Sequence, residues 1–153
     1  MKDVGGIVHV ALTVSDLNRS VTFYRENFGL EKTVELCFTA YEDGFFAEAE
    51  DSRELYKVAP GTTCPLALLQ QPEGGLILEL FQFTPQQPQE TVPWDRPGIT
   101  HFAFETEHFA ALYERLRANG VEFCMRPGKR VADGLNWVFL RDPDGNMIEV
   151  LGP

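Results

Sequence analysis

The chain has 153 residues, 44% of them hydrophobic and 24% charged, the profile of an ordinary globular domain able to bury ~68–70% of its unfolded surface without a disulfide or metal. Acidic residues number 23 against 13 basic ones, and the net charge of -10 argues against nucleic acid, an anionic membrane surface or a polyanionic coenzyme A ester as partner. Cys37, Cys64 and Cys124 form no CxxC pair and are expected to be buried or idle thiols; with no apolar run near ~18 residues and no signal-peptide core after Met1, a cytoplasmic location is expected.

The first pattern is "GIVHVALTVSDL", residues 6–17, which alternates as a strand does. Val8, Val10 and Leu12 fall on one face, expected to carry a helix; His9, Ala11 and Thr13 fall on the other. The helix follows in "SDLNRSVTFYRENFG", where Leu17, Val21, Tyr24 and Phe28 recur at helical spacing. Ser15 or Asp16 is the N-cap and Gly29 the stop. Two strands come next, "LEKTVELCF" and "PLALLQQ", around a segment, 40–63, that is long for a connection. Part of it is expected to form a short helix or a lid, with a floppy acidic loop as an equal alternative. The turn "PEGG" then leads into "LILELFQF", in which Leu78 and Leu80 point one way and Glu79 the other. Residues 84–97, rich in Pro and Gln, read as a linker.

The order then repeats. "GITHFAFETEHF", residues 98–109, matches the opening strand, with Phe102 and Phe104 under a helix and His101 and Ala103 facing away. The second helix, "TEHFAALYERLRANG", sets Phe109, Leu112, Tyr113 and Leu116 on one face, from Thr106 as cap to Gly120 as terminator. His108 lies solvated in its first turn. "VEFCMRP" and "NWVFLRD" read as strands, the turn "PDGN" follows, and "MIEVLG" closes the unit with Glu149 opposed to Ile148 and Val150. Gly and Asn are expected to supply the positive φ of both turns. The expected fold is α+β: two paired βαβββ modules, 6–83 and 98–153, forming one domain over 1–153 with an open, curled mixed sheet.

By this alternation His9, Glu79, His101 and Glu149 all lie on helix-free faces. A lone strand histidine is most often a satisfied half-buried residue, and one glutamate an ion-pair partner. Two of each, at equivalent places of an internal repeat, point instead to ligands for a divalent ion, since buried carboxylates that share a pocket need a cation between them or a strongly raised pKa. Nitrogen and oxygen donors suit Zn, Ni, Co, Fe or Mn, with Zn first among them.

The stretches "HVALTVSDLNRSVTFYRENFGL", "GLILELFQF", "GITHFAFET", "LRANGVEF" and "LRDPDGNMIEVLG" together resemble the vicinal oxygen chelate superfamily. Glyoxalase I, methylmalonyl-CoA epimerase, extradiol dioxygenases and the fosfomycin and bleomycin resistance proteins belong to it. The resemblance implies that the ligands of its lyases and epimerases fall on His9, Glu79, His101 and Glu149. A four-ligand set that includes Glu79 is most similar to glyoxalase I and the epimerases. These move a proton next to a carbonyl through a metal-bound enediolate, with Glu79 and Glu149 as the implied acid/base pair. Epimerisation is favoured over the glyoxalase-type lyase. Two alternatives remain: a non-haem Fe(II) extradiol-type dioxygenase, and a ligand-binding or antibiotic-resistance protein without turnover.

The substrate is expected to be a small hydroxylated carbonyl compound, because only Arg19 and Arg25, on the solvent side of the first helix, stand where a glutathione clamp would. Phe81, Phe83, Phe45, Phe46, Trp137 and Met147 are the expected pocket walls, with Asn136 as a candidate polar contact; for it and for Arg141 a surface role is the competing and more common reading. Exposed sheet edges suggest a homodimer.

Overall fold

A computed structural model of the chain describes residues 5–43, 52–86 and 93–153. It divides into two compact units, Met1–Pro88 and Gln89–Pro153. The first runs β1 (His9–Thr13), α1 (Leu17–Phe28), β2 (Glu31–Thr39), α2 (Ser52–Tyr56), β3 (Thr63–Gln70) and β4 (Ile77–Phe81). The second runs β5 (Phe102–Glu105), α3 (Phe109–Ala118), β6 (Gly128–Lys129), β7 (Asn136–Arg141) and β8 (Met147–Gly152). The class is α+β, and each unit holds one open four-stranded mixed sheet, in the orders β1-β4-β3-β2 and β5-β8-β7-β6. In both, the first strand lies parallel to the last and the remaining pairs are antiparallel. No helix among the described residues is long and apolar enough to cross a membrane.

In the first unit α1 begins where Asp16 accepts the backbone N–H of Arg19 at 3.0 Å, satisfying a donor the helix itself leaves open. It stops at Gly29, whose φ of 68° is left-handed. Leu17, Val21, Tyr24 and Phe28 are all buried, as their spacing requires, beside Leu69, Leu78 and Leu80 of the sheet. Part of the 40–63 segment does form a short helix, α2. Val8 departs from expectation: it precedes β1 and is 66% exposed rather than packed, although its carbonyl still accepts the N–H of Ile77 at 2.9 Å.

In the second unit Leu116 of α3 is buried with Val138, Leu140, Ile148 and Val150. The helix starts later than expected, at Phe109 with His108 as N-cap, because Thr106 Oγ1 accepts the N–H of His108 at 3.1 Å and so caps the turn ahead of it. The expected strand over "VEFCMRP" is reduced to a single bridge, Phe123 to Leu140, before the two-residue β6. The N–H of Cys124 reaches Phe139 O at 2.8 Å and Glu122 O accepts from Arg141 at 2.9 Å. Pro127 then has no N–H to continue the ladder.

The β7–β8 turn also works differently from its reading. Gly145 alone takes positive φ, at 84°. Asn146 instead donates through its backbone N–H (2.8 Å) and Nδ2 (2.9 Å) to the buried carboxylate of Asp142, which also accepts the N–H of Asp144 at 3.0 Å. In the β3–β4 turn both Gly74 and Gly75 have positive φ, at 90° and 102°.

Candidate functional site

Glu79 is the middle residue of β4, and the buried residues on either side, Leu78 and Leu80, turn its side chain to the face away from the core. Its register partners are Ala11 on β1 and Leu68 on β3. A small residue at Ala11 leaves room beside the carboxylate, and His9, two residues earlier on the same face, reaches into it. His9 Nε2 stands 3.8 Å from Glu79 Oε2, with side-chain exposures of 53% and 22%. The second unit repeats the arrangement. Ala103 and Phe139 are the register partners of Glu149, and His101, immediately ahead of β5, brings Nε2 to 3.6 Å from Glu149 Oε2. Here the exposures are lower, 28% and 16%.

The four expected ligands are thus brought together as two His–Glu pairs, one within each unit. Within either unit, no group of three or more His, Cys, Asp or Glu among the described residues could hold a metal ion. Each unit therefore offers two donors. Two ligands bound ~2.1 Å from one tetrahedral ion stand ~3.4 Å apart, so separations of 3.6 and 3.8 Å need only a few tenths of an ångström of closure. The residues fit a divalent cation in donor type and in spacing.

The surroundings of the two histidines differ. His101 is enclosed on several sides: the Trp94 indole stacks on its ring at 5.3 Å and 25°, and Phe139 meets it edge-on at 5.0 Å and 79°. Thr100 Oγ1 lies 2.9 Å from its Nδ1. Trp137 extends the aromatic surface, 5.5 Å from Phe139. Trp94, Thr100 and Phe139 escape the sequence reading. Trp94 sits in the Pro-rich linker, where no periodicity places a side chain. Phe139 was legible in principle, since a hairpin that turns at "PDGN" sets it opposite Glu149.

Of the expected pocket residues, Trp137 and Met147 share the face of Glu149, by register with Leu151 and Arg141. Asn136 shares the parity of the buried Val138 and Leu140 instead, one residue out of step with Trp137. Phe81 shares the face of Glu79 and stacks on Phe83, with centroids 6.2 Å apart and planes at 15°. Phe45 and Phe46 lie outside the described residues. Arg141 Nη1 donates to Gly145 O at 2.9 Å, which engages it in its own turn. Arg19 and Arg25 are exposed on α1, and His108 is exposed at the N-cap of α3, as expected.

The model of the Glyoxalase/Bleomycin resistance protein/Dioxygenase superfamily matches residues 6–150. Among curated proteins, a lactoylglutathione lyase of Arabidopsis thaliana is 25% identical over 152 residues, 98% of this chain but 45% of its own length. The chain thus spans about half the length of that relative. Among solved structures, a glyoxalase family protein from Bacillus cereus superposes with a TM-score of 0.75 at 19% identity, covering 99% of this chain and 97% of the other. A glyoxalase I variant from Zea mays gives 0.69 at 19% identity, covering 96% of this chain and 45% of that one.

Proposed function

Because the chain belongs to the Glyoxalase/Bleomycin resistance protein/Dioxygenase superfamily, we propose that it is a divalent-metal-dependent isomerase or lyase that shifts a proton on the carbon next to a carbonyl. The observation that carries this reading is the matched pair of contacts, His9 with Glu79 at 3.8 Å and His101 with Glu149 at 3.6 Å. Each pair offers one imidazole nitrogen and one carboxylate, donor types suited to Zn, Ni, Co, Mn or Fe. The lactoylglutathione lyase relative supports the class of reaction.

A bound divalent ion supplies Lewis acidity, which weakens the C–H bond beside a carbonyl and stabilises the negative charge that develops. Within each unit the atom that would hold such an ion is the imidazole Nε2, which faces the carboxylate: His9 towards Glu79 in the first and His101 towards Glu149 in the second. Glu79 and Glu149 take the proton from the α-carbon and return it. Return to the opposite face of the same carbon is epimerisation; return to the neighbouring carbon is isomerisation of the glyoxalase kind. A glutamate would serve in this role because a carboxylate can accept a proton as well as a cation. Leu68 and Phe81 share the face of Glu79, and Trp137 and Met147 that of Glu149, so each carboxylate has apolar neighbours that would limit water beside it. The substrate is a small carbonyl compound with a neighbouring oxygen function; the reading places the protein in the cytoplasm as a homodimer.

The test is metal analysis of the purified protein, followed by Glu79→Gln and Glu149→Gln assayed for metal content and for solvent-deuterium exchange into α-hydroxycarbonyl compounds. Removing a general acid or base costs ~10²–10⁴-fold in rate, so exchange is expected to fall by that order in each variant. Undiminished exchange with metal retained in both would remove the acid/base roles. Turnover that demands O2 would move the protein to the dioxygenase branch.

A further inference from the structure

The two halves of the repeat part company one residue before the imidazole. His9 is preceded by Val8, and His101 by Thr100. Val8 carries no polar atom on its side chain; Thr100 Oγ1 stands 2.9 Å from His101 Nδ1. We propose that Thr100 and Trp94 are positioning residues that present His101 Nε2 to a divalent ion, an inference that rests on the reading of His101 as a ligand.

An imidazole that ligates through Nε2 must leave that nitrogen bare and carry its proton on Nδ1. The Thr100 hydroxyl is the group placed to accept that N–H, and the bond fixes both the tautomer and the ring's rotation about χ2. Trp94 closes a second degree of freedom. Its indole lies 25° from parallel with the imidazole at 5.3 Å, while Phe139 abuts an edge at 79°, so the ring is held between a face and an edge. Trp94 is itself 57% exposed. A large apolar side chain left so open gains little from burial, and its ring contacts among the described residues are with His101 and, at 5.4 Å, with Phe139. The outcome is visible in the exposures: His101 keeps 28% of its side chain accessible and His9 keeps 53%. The second half of the repeat is the one whose imidazole is more enclosed.

Thr100→Val gives the second half the residue that the first half carries naturally, so the repeat supplies its own control. Zn(II) affinity is measured by competition with a chromophoric chelator in Thr100→Val, Thr100→Ser, Trp94→Ala and Trp94→Phe. Loss of such an outer partner lowers metal affinity ~10–100-fold, which is the fall expected for Thr100→Val, with recovery in Thr100→Ser. Trp94→Ala is expected to weaken binding and Trp94→Phe to restore it. The imidazole nitrogen shifts of His101, read by NMR in the metal-free protein, supply a signature that a merely structural role would not move. They should report Nδ1–H in the parent and a return towards Nε2–H in Thr100→Val. Parent-like affinity and tautomer in a folded Thr100→Val protein overturns the proposal while leaving the ligand reading intact. Unchanged affinity in His101→Ala overturns the ligand reading, and this proposal with it.

Discussion

Cys64, the second residue of β3, has none of its surface exposed, and burial pushes its thiol from 9.0 up to about 11, with the nearby Cys37 thiol adding to the shift. The charged form is the one disfavoured in the folded state. A proton held more tightly in the native protein than in the unfolded chain stabilises the native state below 9.0, and that contribution is lost as pH rises towards 11. Alkaline titration of stability is therefore expected to steepen between those values and to flatten in Cys64→Ala. At pH 8 a thiol-reactive probe should label the exposed Cys37 and Cys124 promptly and Cys64 only on unfolding; early labelling of Cys64 would contradict its burial. Single residues also mark what the sequence reveals of the site. Glu79 and Glu149 stand out because strict alternation makes a carboxylate between two buried aliphatics conspicuous. Thr100 and Trp94 do not, because a ring stack or a hydroxyl contact depends on where the chain turns, and no period in the sequence encodes that turn.

At the scale of elements, legibility follows how local the determining forces are. The bounds of α1 are fixed by Asp16 and Gly29, both within the helix's own neighbourhood, and the reading matches them. The strand expected at "VEFCMRP" has the right alternation but a proline at its end, and shrinks to a bridge and a two-residue edge. Non-local contacts were invisible beforehand, and two glycines show it. A Cβ built on Gly152, the last residue of β8, would lie 2.1 Å from the carbonyl oxygen of Thr106, which is backbone and has little freedom to yield. One built on Gly128 would lie 2.8 Å from Nε1 of Trp137, a side chain able to turn aside. Overpacking of this kind costs ~1–3 kcal/mol. Gly152→Ala is therefore expected to lower the urea midpoint by an amount in that range at unchanged m-value, and Gly128→Ala to lower it less while shifting tryptophan emission. Equal and negligible losses in the two would mean that neither close approach constrains the fold.

At the scale of the molecule, the duplication separates folding from chemistry. Each unit builds its own sheet and buries its own apolar residues: Tyr24, Leu69, Leu78 and Leu80 in one, Leu116, Val138, Leu140, Ile148 and Val150 in the other. No core residue is a candidate ligand, and each candidate ligand pair lies on the face of its sheet turned from that core. An architecture in which the ligands also formed the core would lose its fold with its metal, as small zinc domains do. This one should not. Treatment with a chelator is expected to leave the far-UV circular dichroism of the chain unchanged while abolishing proton exchange into substrate. Restoring Zn(II) at ~100 times its dissociation constant should raise the unfolding free energy by ~2.7 kcal/mol, because an ion that binds only the native state stabilises it by mass action. Two histidine variants separate that linkage from general damage. His9→Ala and His101→Ala should each reduce the Zn(II)-dependent gain, yet keep the metal-free stability within ~0.5 kcal/mol of the parent, as replacements away from the core do. Collapse of the metal-free protein on either replacement would show that these imidazoles serve packing, and the division between a self-sufficient scaffold and a site laid on its open face would fail.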